Sequence, residues 1–263
     1  MPEPRASAKT LTAAWLFGPL DVSRETLSEG DHSPWRSTLT ATDAELLEQA
    51  YAEAIQLGFL GPREQERLWE RHLDDALGLA AIRRPKAGER WADLGSGAGL
   101  PGLPLAVAHR STSFTLIDAQ RRRLDWIEAT ATRLHLTNVT VVHARLEDYG
   151  RSGDRESFDV ATARALGPLP VVAELGLPLV AVGGQLLVPR GQPSADELEQ
   201  AERASEQLGG RIDDVIPNPN SPIDRVGFVV IMAKIAATSP RFPRRSGVPA
   251  RSPLGQLRKH GSS

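Results

Sequence analysis

"ADLGSGAGLPG", residues 92–102, places four glycines within eight positions directly after an acid. A glycine inside a regular element costs about 0.5–1 kcal/mol relative to alanine. Such a cluster marks a place where the backbone must turn sharply or approach a ligand. Upstream, Arg90–Leu94 reads as a short strand. Downstream, Pro101–His109 reads as a helix, with proline in the first turn where its missing N–H is not needed. Strand, glycine turn and helix open a doubly wound α/β sheet, in which ligands bind beyond the carboxyl ends of the strands, near the point where strand order reverses.

The same rhythm continues outward. Ser113–Ile117, Val139–Val142, Phe158–Thr162 and Gln185–Pro189 read as strands, and Arg211–Ile216 and Arg225–Ala233 as two closing strands. Ala119–Leu136, Leu169–Val182 and Ala195–Leu208 read as helices, with Gly183–Gly184 stopping the second. Alternation of this kind argues a mostly parallel sheet covered on both faces. Before it, Thr42 or Asp43 is placed to cap a helix carrying Leu46, Leu47, Ala50, Ala54 and Leu57, with Gly58 as its stop. "GPREQERLWERHLDDALGLAAI", residues 61–82, reads as one further helix. The chain thus divides into a poorly patterned segment 1–40 with a short helix near Ala13–Phe17, helices over 41–86, an α/β domain over 87–237, and a tail over 238–263. From Ser239 onward that tail carries six Lys/Arg, four prolines and no acid, so it cannot build a core of its own.

With 263 residues, 40% apolar and 24% charged, the chain has the composition of a globular protein with a full core. A net charge of −2 gives no argument for or against a nucleic-acid partner. The absence of cysteine excludes disulfides, thiolate zinc sites and cysteine nucleophiles. No apolar run reaches the roughly 18 residues of a membrane span; Val171–Val188 is interrupted by Glu174, Pro178, Gly183, Gly184 and Gln185. The opening "LTAAWLFGPL" is too short for a secretory signal, so the expected location is cytoplasmic, with no membrane partner.

Two ligand classes compete for the glycine loop. Gly97, Gly99 and Gly102 match the G-x-G-x-x-G dinucleotide fingerprint, which would make the chain an NAD-dependent oxidoreductase. Yet Gly95 already ends the strand, and Pro101 stands where a pyrophosphate would want amides. The alternative is the acid-x-Gly-x-Gly loop of S-adenosylmethionine (SAM)-dependent methyltransferases, Asp93-Leu-Gly95-Ser-Gly97. An acid closing the first strand organises the loop and meets an ammonium, and the following helix would aim amides at an anionic group. Asp118 closes the second strand, where ribose hydroxyls of either cofactor would lie.

Beyond the loop, "ADLGSGAGLPGLPLAV" resembles the signature of the small-subunit ribosomal RNA guanine-N7 methyltransferases, also called glucose-inhibited division protein B. "GPREQERLWERHLDDAL", "LIDAQRRRLDWI", "NVTVVHARLED", "TARAL", "LLVPRG" and "SPRFPRRSGVPARSPLG" resemble further segments of that family, from about residue 45 to 255. The resemblance implies a Rossmann-like class I SAM-dependent methyltransferase fold: a seven-stranded sheet, last strand antiparallel, with helices on both faces and an N-terminal helical extension. It implies methyl transfer from SAM to N7 of a guanine in the decoding-region loop of 16S rRNA, with 16S rRNA or the small ribosomal subunit as partner; the sequence leaves the oligomeric state open, with a monomer favoured. By position it assigns SAM contacts to Gly95, Leu100, Leu146, Glu147 and Arg164; the loop reading adds Asp93, Gly97 and Asp118. The family commonly has Phe at Leu100, Lys at Arg190 and Ser at Ala163.

Arg121, Arg122 and Arg123 open a helix, where cations oppose the macrodipole. Against a merely solvated charge run, their place beside the cofactor edge suits a phosphate clamp. Arg122, Arg123, Arg190 and Arg245 are therefore the candidate RNA contacts. The tail arginines fit either a flexible linker or a segment that orders on RNA; a non-catalytic RNA-binding module stays open as well. His72 and Asp75, three apart, have no third ligand, so no metal is expected. Guanine N7 has a lone pair and no proton, so no general base is sought.

Overall fold

The computed structural model describes residues 35–218 and 227–256. The expected short helix near Ala13–Phe17 and the start of the last expected strand lie outside them. The first helix, α1, runs Ala41–Gln56, and its cap is Thr40, whose side chain accepts the Asp43 N–H at 3.0 Å. The cap thus falls two residues before the earlier of the two expected residues. Ala44, Leu47, Ala50, Tyr51 and Ala54 form its buried face.

The single helix expected over 61–82 is broken. A 3-10 turn at Pro62–Glu64 leads to a π turn at Trp69–Leu73, then α2 (Asp74–Leu77) and α3 (Leu79–Ile82), separated by Gly78. In the π turn the Asp74 N–H reaches back five residues to the Trp69 carbonyl. One residue more than an α turn is thereby accommodated, and His72 and Leu73 are buried. Such bulges recur at functional sites.

The sheet comprises β1 (Arg90–Leu94), β2 (Ser113–Asp118), β3 (Val139–His143), β4 (Phe158–Thr162), β5 (Val180–Arg190), β6 (Gly210–Pro217) and β7 (Phe228–Lys234). Their order is β3-β2-β1-β4-β5-β7-β6. The pairs from β3 to β5 are parallel, whereas β7 runs antiparallel to both β5 and β6. This is the expected seven-stranded arrangement, and its strand order reverses between β1 and β4. The intervening helices are α4 (Gly102–Ala108), α5 (Arg121–Arg133), α6 (Leu146–Tyr149), α7 (Leu169–Gly176) and α8 (Ala195–Gln207). The helix expected to run to Val182 stops at Gly176, because Pro178 cannot continue it. Strand β5 then passes through Gly183–Gly184, where its register with β4 slips. The glycine pair is a strand irregularity, not a helix stop.

Alternate side chains of the strands feed two apolar layers. Trp91, Leu116, Leu187 and Ile231 pack with α1, α4 and α5; Ala92, Ile117, Leu186 and Met232 pack with α6, α7 and α8. Among the described residues no helix is long and apolar enough to cross a membrane.

The described part of the tail packs on the second layer, burying Phe242, and ends in a short α9 (Val248–Arg251). The acid that interrupts the apolar run, Glu174, is the anchor. It is fully buried on α7 and accepts the Arg244 backbone N–H at 2.9 Å, Arg244 Nε at 2.8 Å and Nη2 at 2.5 Å. Arg155 adds bonds to the carbonyls of Thr238, Ser239 and Phe242. Breaking a buried pair on one side leaves an uncompensated charge. Arg244→Ala should therefore lower stability by about 3 kcal/mol, read as a lower urea midpoint at unchanged slope.

Candidate functional site

The loop after β1 lies at the reversal point of the sheet and is folded around two carboxylates. Asp93 is almost fully buried. Its Oδ2 accepts the Gly102 N–H at 3.0 Å and its Oδ1 the Thr162 hydroxyl at 3.2 Å, from the neighbouring strand β4. A side chain at Gly102 would collide with Asp93, since a Cβ there would sit 2.7 Å from Oδ2. The third glycine of the apparent dinucleotide fingerprint is thus accounted for by the acid it covers. The Gly102 amide is also already paired, so the start of α4 does not offer it to an anion as expected.

Asp118 fixes the other side. Its Oδ2 accepts the Gly97 N–H at 2.9 Å and its Oδ1 the Gln120 N–H at 2.8 Å. Gly95, Gly97 and Gly99 all hold positive φ. At Gly97, φ is +55°, and a Cβ would come within 2.9 Å of Arg123 Nη1. The guanidinium of Arg123 therefore lies over the loop.

Arg164, just beyond β4, faces the N-terminal helices. Its Nη2 meets His72 Nδ1 at 3.1 Å, the Arg71 carbonyl at 3.3 Å and an Asp75 carboxylate oxygen at 3.5 Å. Its Nη1 is buried and has no partner among the described residues. The next residue, Ala165, holds φ +55°, a left-handed conformation uncommon without glycine. His72 and Asp75 do stand together, both against Arg164, and each has a further partner: His72 Nε2 is 2.9 Å from Glu64, and Asp75 is hydrogen-bonded by Asn218. Among the described residues no group of three or more His, Asp or Glu suits a metal ion.

The remaining candidates spread around this centre. Leu100 and Leu146 are buried, in opposite core layers. Glu147 accepts the Gly247 N–H at 2.8 Å, which ties α6 to the tail. Arg121 is neutralised on its own helix by Asp125 at 2.7 Å. Arg122 and Arg123 have no carboxylate partner among the described residues; both stack over Phe59, at 5.3 and 5.9 Å from the ring centre. Arg190 is paired with Glu197 at 2.8 Å, and the other oxygen of Glu197 accepts the Leu169 N–H. The geometry thus gives Arg190 a role inside the fold. Arg245 is exposed.

Sequence reasoning passed over Thr162, Glu64, Phe59 and Glu197. Thr162 carried a faint signal as a polar residue ending an apolar strand. Phe59 meets Arg122 and Arg123 across a long sequence gap, and Glu64 and Glu197 meet partners seven or eight residues away in another element, so these three carried none. Chemically, the centre is a glycine cradle between carboxylates, with one guanidinium arm unpaired and no hydroxyl–histidine pair among the described residues.

The family described as GidB, rRNA small subunit methyltransferase G, matches residues 45–217. Ribosomal RNA small subunit methyltransferase G of Chloroflexus aggregans is 40% identical over 193 residues, 73% of this chain and 80% of that protein. Its namesake from Deinococcus radiodurans is 36% identical over 214 residues, covering 80% and 84% of the two chains. Among solved structures, a mutant of MtNAS in complex with S-adenosylmethionine superposes with a TM-score of 0.51 at 19% identity, covering 74% of this chain and 76% of that one. That likeness is one of fold.

Burial pushes the Asp93 carboxyl up from 3.8 to about 7, against the hydrogen bonds from Gly102 and Thr162 and the charge of Arg164. In the unfolded chain it ionises near 4, so between about pH 4 and 7 the folded chain binds more protons and Asp93's contribution to stability falls as pH rises. Denaturant unfolding of wild type and Asp93→Asn across this range should show the wild-type advantage shrinking from pH 4 to 7 and then levelling. A difference independent of pH would mean that the carboxyl ionises alike in the folded and unfolded chain.

Proposed function

Because this chain belongs to the rRNA small subunit methyltransferase G family, we propose that it transfers a methyl group from SAM to N7 of a guanine in the decoding-region loop of 16S rRNA. The observation that carries the reading is the cradle: a glycine loop pinned by Asp93 and Asp118, beside a buried Arg164 Nη1 that has no acceptor among the described residues. These residues fit SAM, a ligand with ammonium, carboxylate and ribose hydroxyl groups. Asp93, Gly95, Gly97, Leu100, Asp118, Leu146, Glu147 and Arg164 would hold it. When bound, it supplies a methyl group on a sulfonium.

The chain's own part is placement. Guanine N7 offers a lone pair and no proton, so no side chain has to remove one. Holding two reactants in register is worth up to roughly 7–11 kcal/mol. The target base must be unpaired or turned out of its stack to reach the cradle. Arg122 and Arg123, stacked on Phe59 and free of carboxylates among the described residues, suit the flanking phosphates, and the exposed Arg245 suits a phosphate further along. Arg190 fits this role only if Glu197 releases it.

Incubation of the protein with labelled SAM and 16S rRNA that lacks the modification, followed by base mapping, should find one methyl group on guanine N7. Incorporation at an exocyclic amine, or none with tight RNA binding, would overturn the reading, as would a thermal shift with NAD and not with SAM. Arg122→Ala with Arg123→Ala should weaken RNA binding and reduce its salt slope by about 1 per lost phosphate contact. SAM affinity should change little; an equal loss would move these arginines to the cofactor. Single-turnover methylation at saturating SAM and RNA should show no rising limb set by a histidine between about pH 6 and 9. A tenfold rise abolished by replacing His72, His109, His135 or His143 would reveal a general base.

A further inference from the structure

The contacts of Arg164 are unevenly divided. All three of its protein acceptors, His72 Nδ1, the Arg71 carbonyl and Asp75, meet Nη2, while Nη1 is buried with none among the described residues. A guanidinium held by one arm leaves the other fixed in direction. An unpaired buried donor is costly, which points to an acceptor supplied by a ligand. The two side chains holding Nη2, His72 and Asp75, come from the π turn and the helix that follows it, far away in sequence.

His72 can accept from Arg164 only in one tautomer. Nδ1 must carry a lone pair, so the ring proton sits on Nε2, and the Glu64 carboxylate 2.9 Å away accepts it. Burial and the neighbouring Arg164 charge hold the imidazole down to about 4, so the ring is neutral at ordinary pH. Glu64 also meets Arg71 at 3.2 Å, which fixes the carboxylate between both.

We propose that His72 is a positioning residue: Glu64 sets its tautomer, and His72 with Asp75 holds Arg164 by Nη2 so that Nη1 is kept for an acceptor on the bound SAM. The proposal rests on the reading that Arg164 contacts SAM. It gives the N-terminal helices a part in cofactor binding.

Two replacements separate this role from simple packing. Asparagine keeps an acceptor near the place of Nδ1 but cannot reach Glu64. Glutamine keeps a donor near the place of Nε2 but loses the acceptor for Arg164. By calorimetry, His72→Gln should bind SAM about tenfold more weakly, and His72→Asn should recover most of that loss, about one hydrogen bond apart. In turnover the loss should fall on KM for SAM more than on kcat. Equal affinities in the two variants, or the reverse order, would overturn the proposal. Glu64→Leu provides a second test near the surface: losing the acceptor frees the other tautomer, and SAM affinity should fall although Arg164, His72 and Asp75 are intact. Unchanged affinity there would equally overturn it. Arg164→Ala distinguishes the premise. If it binds SAM like wild type, the reading of Arg164 itself fails. If it loses SAM while His72→Gln does not, the reading stands and only the role of His72 falls.

Discussion

One buried carboxylate organises the centre of this protein. Asp93 sits at the end of β1, out of water, and draws donors from two elements: the Gly102 amide that opens α4 and the Thr162 hydroxyl that ends β4. A buried carboxylate without such donors would be far too costly to keep. The loop between Asp93 and Gly102 therefore has to close over it, and only glycine at 102 leaves room. Asp118 performs the same task from β2, so the loop is stretched between neighbouring strands. The exposed side of the cradle is shaped by what the acids demand underneath.

Around this centre the chain closes two further walls. The N-terminal helices supply His72 and Asp75 through a π turn that an ideal helix would not contain. The tail supplies the other wall. Its basic character reads as an RNA-binding feature, yet Arg244 is committed to Glu174 inside the protein, and the Gly247 amide to Glu147. The arginines of the tail thus differ in kind: some hold the fold, whereas Arg245 stays exposed. The same division runs through α5, where Arg121 answers Asp125, while Arg122 and Arg123 lie on Phe59.

The strand–glycine–helix rhythm was legible in the sequence because it is local: side-chain alternation, Pro101 and the glycines fix short elements without help from elsewhere. Asp93, Asp118 and the loop could be named for the same reason, and the family resemblance rests on these contiguous segments. What the tertiary structure decided was partnership. Gly183–Gly184 reads as a helix stop until β4 is placed beside it; residues 61–82 read as one helix until His72 must face Arg164; Glu174 reads as an interruption until Arg244 arrives from seventy residues away. Local propensities set the elements, whereas buried charges and hydrogen bonds find their partners only when the sheet brings distant residues together.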